Sequence, residues 1–385
     1  MSVRCIAAVA LLGAVQAHAA PPFPLGTYVG NAHGNDAVAM AKFKAAMDAH
    51  SAALGGAKSK FFNVFTDYNG DPSTWAASAG WAAWSSARSG DDYVSPGGGA
   101  VPVVGVPMAW PKMGFSNVEQ FYIYTAAGSY DAVWAGIVDA WADNGYKIVD
   151  FRIAYEMNGN YMPWSPANAS APTKLADFVK AFQRVADVIH AEARKKGITA
   201  LVHWNPTAIN WTPYPVTSIY PGDAYVDVIS IDQYSPMYPL GYVDWTTGGN
   251  SETTDKVAWA AVAGNRQHYY RYPNATRYVQ TPGLNSSGWS MPQAIEFAKL
   301  HGKPIAVDET GVGKSGAGLG PSDDPEFPKY LAGILTEARS KGVAVRSVNI
   351  WDAKLGDGDW DFRGGSKPLT AAAWRTYFGE PRPNP

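Results

Sequence analysis

Eight short runs rich in β-branched and aromatic residues recur along the chain, with segments of helical pattern between them. This alternation narrows the fold most, because parallel strands joined by helical crossovers bury apolar side chains on both faces. The runs are Leu25 to Asn31, Phe61 to Asp67, Val101 to Met108, Ile148 to Glu156, Ile198 to Asn205, Val226 to Tyr234, Pro304 to Glu309 and Ser347 to Trp351. Gly145, Gly197, Gly302 and Gly342 each stand where a helical pattern ends and a run is about to begin, the position of a left-handed helix cap. Between the fourth and fifth runs, Leu175, Phe178, Val179, Phe182, Val185 and Ile189 recur at helical spacing. Before the seventh, Ser290 stands at a cap position and Pro292 in the first turn. Eight runs in strict βα order within 385 residues predict closure into a (β/α)8 TIM barrel rather than an open sheet.

The barrel is expected to form a single catalytic domain over residues 20–385. The connection from Ser235 to Ser290 is far longer than an ordinary βα loop and carries Tyr238, Tyr242, Trp245, Trp259, Tyr269 and Tyr270. It reads as a wall beside the carboxyl ends of the strands, with a helix expected from Asp255 to Tyr270. Ahead of the barrel, Arg4, the apolar stretch Ile6 to Val15 and Ala17-His18-Ala19 read as a signal peptide over residues 1–19 and imply a secreted protein. The sole cysteine, Cys5, lies inside that segment. No later stretch approaches the roughly 20 apolar residues of a membrane helix, so no membrane association is expected.

A formal net charge of -2 without a basic cluster argues against nucleic acid, whose binding rests on clustered Lys and Arg. Fifteen Trp and 21 Tyr supply the flat amphipathic rings that suit sugars. The seven His show no paired ligand spacing, and Gly313-Lys314-Ser315 lacks the glycine that a phosphate loop would need at Asp308. No metal and no cofactor is expected, and the protein reads as a monomer acting on a neutral polysaccharide or oligosaccharide.

The fourth run ends in Phe151-Arg152-Ile153-Ala154-Tyr155-Glu156-Met157-Asn158-Gly159, and the seventh in Val307-Asp308-Glu309-Thr310-Gly311. Two-residue alternation groups Arg152, Ala154 and Glu156 on one side, and Ile305, Val307 and Glu309 on one side. Strands four and seven flank opposite sides of a barrel mouth. Carboxylates there, Glu156 and Glu309, match the needs of two-carboxylate glycoside hydrolysis. Arg152 and Tyr234 would hold Glu309 charged. His203, beside Trp204, reads either as a substrate contact or as a packed histidine.

These motifs resemble glycoside hydrolase family 26, the retaining barrels best known for β-mannanases. The resemblance is carried by Phe151 to Gly159, by Tyr220-Pro221-Gly222-Asp223 through Tyr225-Val226-Asp227-Val228 to Asp232 and Tyr234, and by Asp308 to Gly311. It implies Glu156 as general acid/base and Glu309 as nucleophile, a hydrogen bond from Tyr234 to the nucleophile, and Trp351 as the platform under the cleaved sugar. It also implies cleft positions for Asn158, Tyr161, Trp164, Trp204 and Asn205. Tyr155 stands where the family usually has a His that contacts the sugar. The resulting expectation is a secreted, endo-acting, retaining enzyme with β-1,4-mannan as the default substrate. A β-glucanase, a xylanase, an exopolysaccharide hydrolase and a non-catalytic carbohydrate-binding barrel are the alternatives.

Overall fold

The computed structural model describes residues 22–30, 37–66, 94–109, 118–208, 212–235, 270, 289–315, 322–356 and 358–380. The strands β1 (Leu25–Tyr28), β2 (Phe61–Phe65), β3 (Val101–Val106), β4 (Ile148–Ile153), β5 (Thr199–Trp204), β6 (Val228–Asp232), β7 (Ile305–Thr310) and β8 (Val345–Trp351) close into one barrel. Every neighbouring pair is parallel, including β8 with β1 across the seam. All eight runs are therefore strands of the expected barrel, several of them shorter at the carboxyl end.

Seven described helices surround it: α1 (Ala37–Ala53), α2 (Val118–Ala126), α3 (Asp131–Asp143), α4 (Lys174–Lys196), α5 (Met291–Leu300), α6 (Glu326–Ser340) and α7 (Pro368–Phe378). In α4 the buried stripe Phe178, Phe182, Val185 and Ile189 is the periodic face seen in the sequence, and its neighbours Leu175 and Val179 are only partly buried. That stripe joins Val149, Phe151 and Ile153 of β4 and Val202 of β5 in one apolar core between barrel wall and helices. Gly145, Gly197, Gly302 and Gly342 all adopt positive φ, at 93°, 68°, 62° and 81°, which lets the chain reverse into the next strand. Ser290 and Pro292 do open α5, although Ser290 makes no side-chain cap bond to the helix backbone.

The barrel interior is polar over much of its height. Strands that are not neighbours meet there through Asn63, Asp150, Arg152, His203, Asp308 and Arg346. Gly26 is needed at the seam, because a Cβ there would lie 1.5 Å from Asn349 Oδ1, its register partner on β8. Beyond the carboxyl ends of β7 and β8, the short segments Lys314–Ser315, Lys354–Leu355 and Gly358–Asp359 form a small antiparallel sheet. The buried Lys367 Nζ ties that sheet down through Val312 O at 3.1 Å and Asp359 Oδ1 at 3.1 Å.

Tyr238, Tyr242, Trp245, Trp259 and Tyr269, and the helix expected up to Tyr270, lie outside the described residues, as does the leader segment. Tyr270 itself is buried against Phe327 and Tyr330. Among the described residues, no helix is long and apolar enough to cross a membrane, and no cluster of three or more His, Cys, Asp or Glu side chains could hold a metal ion.

Candidate active site

Glu156 reaches the mouth by a route that strand alternation does not describe. β4 ends at Ile153, and Ala154 and Glu156 follow in the left-handed region with φ of 50° and 53°. Non-glycine residues there carry roughly 1–3 kcal/mol of strain each, so neighbours must hold them in place. Ala154 N donates to Val106 O at 2.7 Å, and Glu156 N donates to Asn205 O at 2.7 Å. The turn is stitched to β3 on one side and to the end of β5 on the other.

Glu309 also departs from simple alternation. Ile231 pairs with Val307 but Asp232 pairs with Glu309, so β7 has one extra residue at a bulge. Val307 joins the apolar core outside the barrel, whereas Asp308 and Glu309 both turn toward Arg152. The expectation that Val307 and Glu309 share a face is corrected accordingly.

Arg152 is the hub of the site. Its Nη2 donates to Glu309 Oε1 at 2.6 Å and to Asp232 Oδ2 at 2.6 Å, and its Nε donates to Asn205 Oδ1 at 2.8 Å. Burial opposes the guanidinium charge, but Asp232, Glu309 and Asp308 outweigh it and hold the pKa above its ordinary value. Glu309 Oε2 accepts a second bond from Tyr234 Oη at 2.8 Å. Two donors on Glu309 favour its ionised form. Tyr234 is raised by its own burial and by the charge of Glu309, so it stays a donor.

Glu156 has the opposite environment. Burial and the charge of Glu309 raise its pKa to about 8, against the lowering effects of Thr207, Arg152 and Tyr161. Its Oε2 accepts from Tyr161 Oη at 3.1 Å. The mouth thus pairs a protonated carboxyl group with one bound by an arginine, the division of labour that acid/base and nucleophilic roles require.

Around these carboxylates, Tyr161 is 48% exposed, while Glu156, Glu309, Tyr155, Tyr234 and Trp351 keep between 5% and 8% of their surface. The Trp351 ring stacks on Tyr28 at 4.3 Å and meets Phe65 and Tyr234 edge-on at 5.9 Å and 6.0 Å. Tyr155 packs edge-on against Phe65 at 5.3 Å and Trp164 at 4.7 Å, with the Arg152 guanidinium 5.3 Å from its ring centre.

Other residues expected at the cleft are buried, with partners inside the protein. Trp204 points outward from β5 and packs against Tyr220, Trp289 and Phe297, because its neighbour His203 takes the inward direction. Trp164 donates its indole N–H to Tyr155 O at 2.7 Å, behind the mouth. Asn158 spends both amide ends on Thr207, accepting from its N at 2.7 Å and donating to its O at 2.9 Å. Asn205 bridges Arg152 and Asp232, and His203 lies between Asp308 and Asp150. Arg152 is fully buried and contacts the nucleophile candidate rather than the cleft surface.

Asp232, Asp308 and Asp150 were not singled out for roles by sequence reasoning. The signal was present in the two-residue spacing of Asp150 and Arg152 within an otherwise apolar strand, which marks a polar barrel interior. Replacing Arg152 by Met should destabilise the fold by about 3–5 kcal/mol at neutral pH, since three buried carboxylates lose their shared cation. Part of the loss should return under acid conditions that protonate them. Denaturant unfolding at both pH values checks this, and unchanged stability at neutral pH would contradict it.

The fold and the mouth define a class: a (β/α)8 barrel with two carboxyl groups of opposed environment at the carboxyl ends of its strands. Within that class, a family model described as Glycosyl hydrolase family 26 matches residues 129–248, the stretch that carries Glu156 and β4 to β6, and the family resemblance of the sequence is borne out. A modular endo-β-1,4-mannanase of that family from Cellulomonas fimi shares the fold with a TM-score of 0.50 at 18% identity, over 86% of this chain and 65% of its own. A double mutant of the Cellulomonas fimi endo-β-1,4-mannanase superposes with a TM-score of 0.50 at 17% identity, over 92% of this chain and 68% of its own. The chain therefore spans just under two thirds of the modular enzyme. No curated protein sequence matches it.

Proposed function

We propose that the protein is an exported, endo-acting retaining β-glycoside hydrolase, with β-1,4-mannan as its default substrate. The feature that carries the reading is the contrast between Glu156, whose pKa burial and the charge of Glu309 raise to about 8, and Glu309, bound by Arg152 and Tyr234. In the first step a Glu309 carboxylate oxygen attacks the anomeric carbon as the glycosidic bond breaks, and the departing oxygen takes the Glu156 proton. Glycosylation removes the charge of Glu309, the second largest cause of the raised Glu156 pKa. Glu156 then becomes a stronger acid whose carboxylate can accept a proton from the attacking water, returning both groups to their starting states. The family match and the printed activity of the Cellulomonas fimi enzyme support mannan as the first substrate to test. The apolar stretch and Ala-His-Ala motif at the amino end support export.

A panel of mannan, glucomannan, xylan, mixed-linkage glucan and bacterial exopolysaccharides, scored by product mass, tests substrate and mode of attack. Cleavage of mannan to oligosaccharides supports the reading. Reducing ends released only from other glycans would replace the substrate, and tight binding without turnover on any of them would replace the enzyme by a binding barrel.

Trp351 supplies a third prediction. Its ring is backed by Tyr28, so it is rigid before a sugar arrives. Trp351→Ala should lower kcat/KM by about 5- to 150-fold, equivalent to roughly 1–3 kcal/mol of stacking. Loss of thermal stability with normal specific activity in the folded fraction would show a packing role alone.

A further inference from the structure

The interior of the barrel holds a buried imidazole between two carboxylates that the proposed reaction does not use. His203 on β5 is fully buried, with Nδ1 2.8 Å from Asp308 Oδ2 and Nε2 3.2 Å from Asp150 Oδ2. A neutral imidazole has one N–H, and would turn a lone pair toward one of these carboxylates. The Nδ1 contact is a hydrogen bond, Nε2 approaches Asp150 only as an ion pair, and a doubly protonated ring is attracted by both carboxylates.

Asp308 directly precedes Glu309, and its Oδ2 lies 3.6 Å from Arg152 Nε. It is thus a second anion within ion-pair reach of the guanidinium that holds Glu309, and Arg152 Nη1 and Asp308 Oδ1 have no hydrogen-bond partner among the described residues. Asp150 is already matched by Arg346, which donates to both its oxygens at 3.0 Å and 2.8 Å. We propose that His203 is a positioning residue for Glu309: as a cation clamped between Asp308 and Asp150, it occupies the Asp308 carboxylate and leaves Arg152 to Glu309 and Asp232. The inference rests on the reading of Glu309 as nucleophile.

The charged groups of this interior are Asp150 and Arg152 on β4, Glu156 in the turn beyond it, Asp232 on β6, Asp308 and Glu309 on β7, and Arg346 on β8. Burial disfavours the His203 charge, but Asp308 and Asp150 overcome it and raise the pKa to about 9. Asp308 shows the counterpart: burial pushes its carboxyl up, and His203 and Arg152 hold it below the usual range.

The test begins with the pH profile of glycan hydrolysis by the unmodified enzyme. In His203→Gln the lost cation should raise the pKa of both glutamates, moving both limbs of the profile up by about one unit. Asp308→Asn removes the competing anion and should move both limbs down. The double variant His203→Gln/Asp308→Asn should return toward the parent profile, because it deletes a neutral pair. Single variants with unmoved limbs and normal specific activity in the folded fraction would overturn the proposal. Independently of turnover, nitrogen NMR of the histidine rings should show one imidazole doubly protonated at about pH 8, identified by its change in Asp308→Asn. A neutral His203 ring at that pH would overturn the clamp even if His203→Gln does not fold. A parent enzyme that cleaves no glycan would sink the hydrolase reading, and the ring's protonation would still decide the clamp.

Discussion

Glu309→Ala is expected to lose at least about four orders of magnitude in kcat on polysaccharides and on activated aryl glycosides alike. In the proposed mechanism the substitution removes the atom that forms the covalent bond, and a better leaving group cannot replace it. Among the described residues, the other carboxylates nearby are already engaged: Asp232 is bound by Arg152 and Asn205, and Asp308 by His203. The variant should still fold, because Arg152 keeps Asp232 and Asn205 as partners, so circular dichroism and thermal unfolding are the controls. Turnover of an activated substrate at more than a hundredth of the parent rate, in a folded variant, would remove Glu309 from the nucleophile's role. A covalent adduct mapped to another residue would do the same.

Glu156→Ala should behave differently, and the difference separates the two roles. Polysaccharide hydrolysis should fall by about 10²- to 10⁴-fold, the usual contribution of a positioned acid or base. Glycosylation by aryl glycosides whose leaving group needs no proton should survive, while the second step slows for want of a base. A glycosyl-enzyme should then accumulate and appear as a mass increment on a peptide containing Glu309. The pH profile gives an independent check. Glu156 carries its proton below about pH 8, so parent activity on polysaccharide should hold below that value and fall as pH rises through it. The variant should lack this alkaline limb on activated substrates. Equal loss on good and poor leaving groups, or first-formed products of inverted anomeric configuration, would refute the assignment.

The strands were legible because a barrel strand hides two faces, and Val149, Phe151 and Ile153 or Val202 and Trp204 advertise the outer one. Strand ends were less so. The turn at Ala154 and Glu156 takes positive φ without a glycine, leaving no residue to announce it, and β4 reads on to Glu156 when it stops at Ile153. The bulge in β7 is equally silent, since one extra residue changes direction without changing composition. Glu309 was put at the mouth by an alternation that the bulge breaks. Trp204 shows the reverse failing. Its outward direction follows from the inward His203 beside it, yet family resemblance suggested a cleft position.

The stitching of the Glu156 turn bears on how the protein folds. Ala154 is tied to Val106, Glu156 to Asn205, and Asn158 to Thr207, the last pair 49 residues apart in the chain. None of these bonds can form while β4 is an isolated segment, and such long-range closures are among the slow events of chain assembly. The local bond from Gly159 N to Glu156 O closes only part of the turn, and its left-handed residues are otherwise held by β3 and the end of β5. The Glu156 turn is therefore expected to be assembled late, so that after refolding activity should recover after the helical and strand signal.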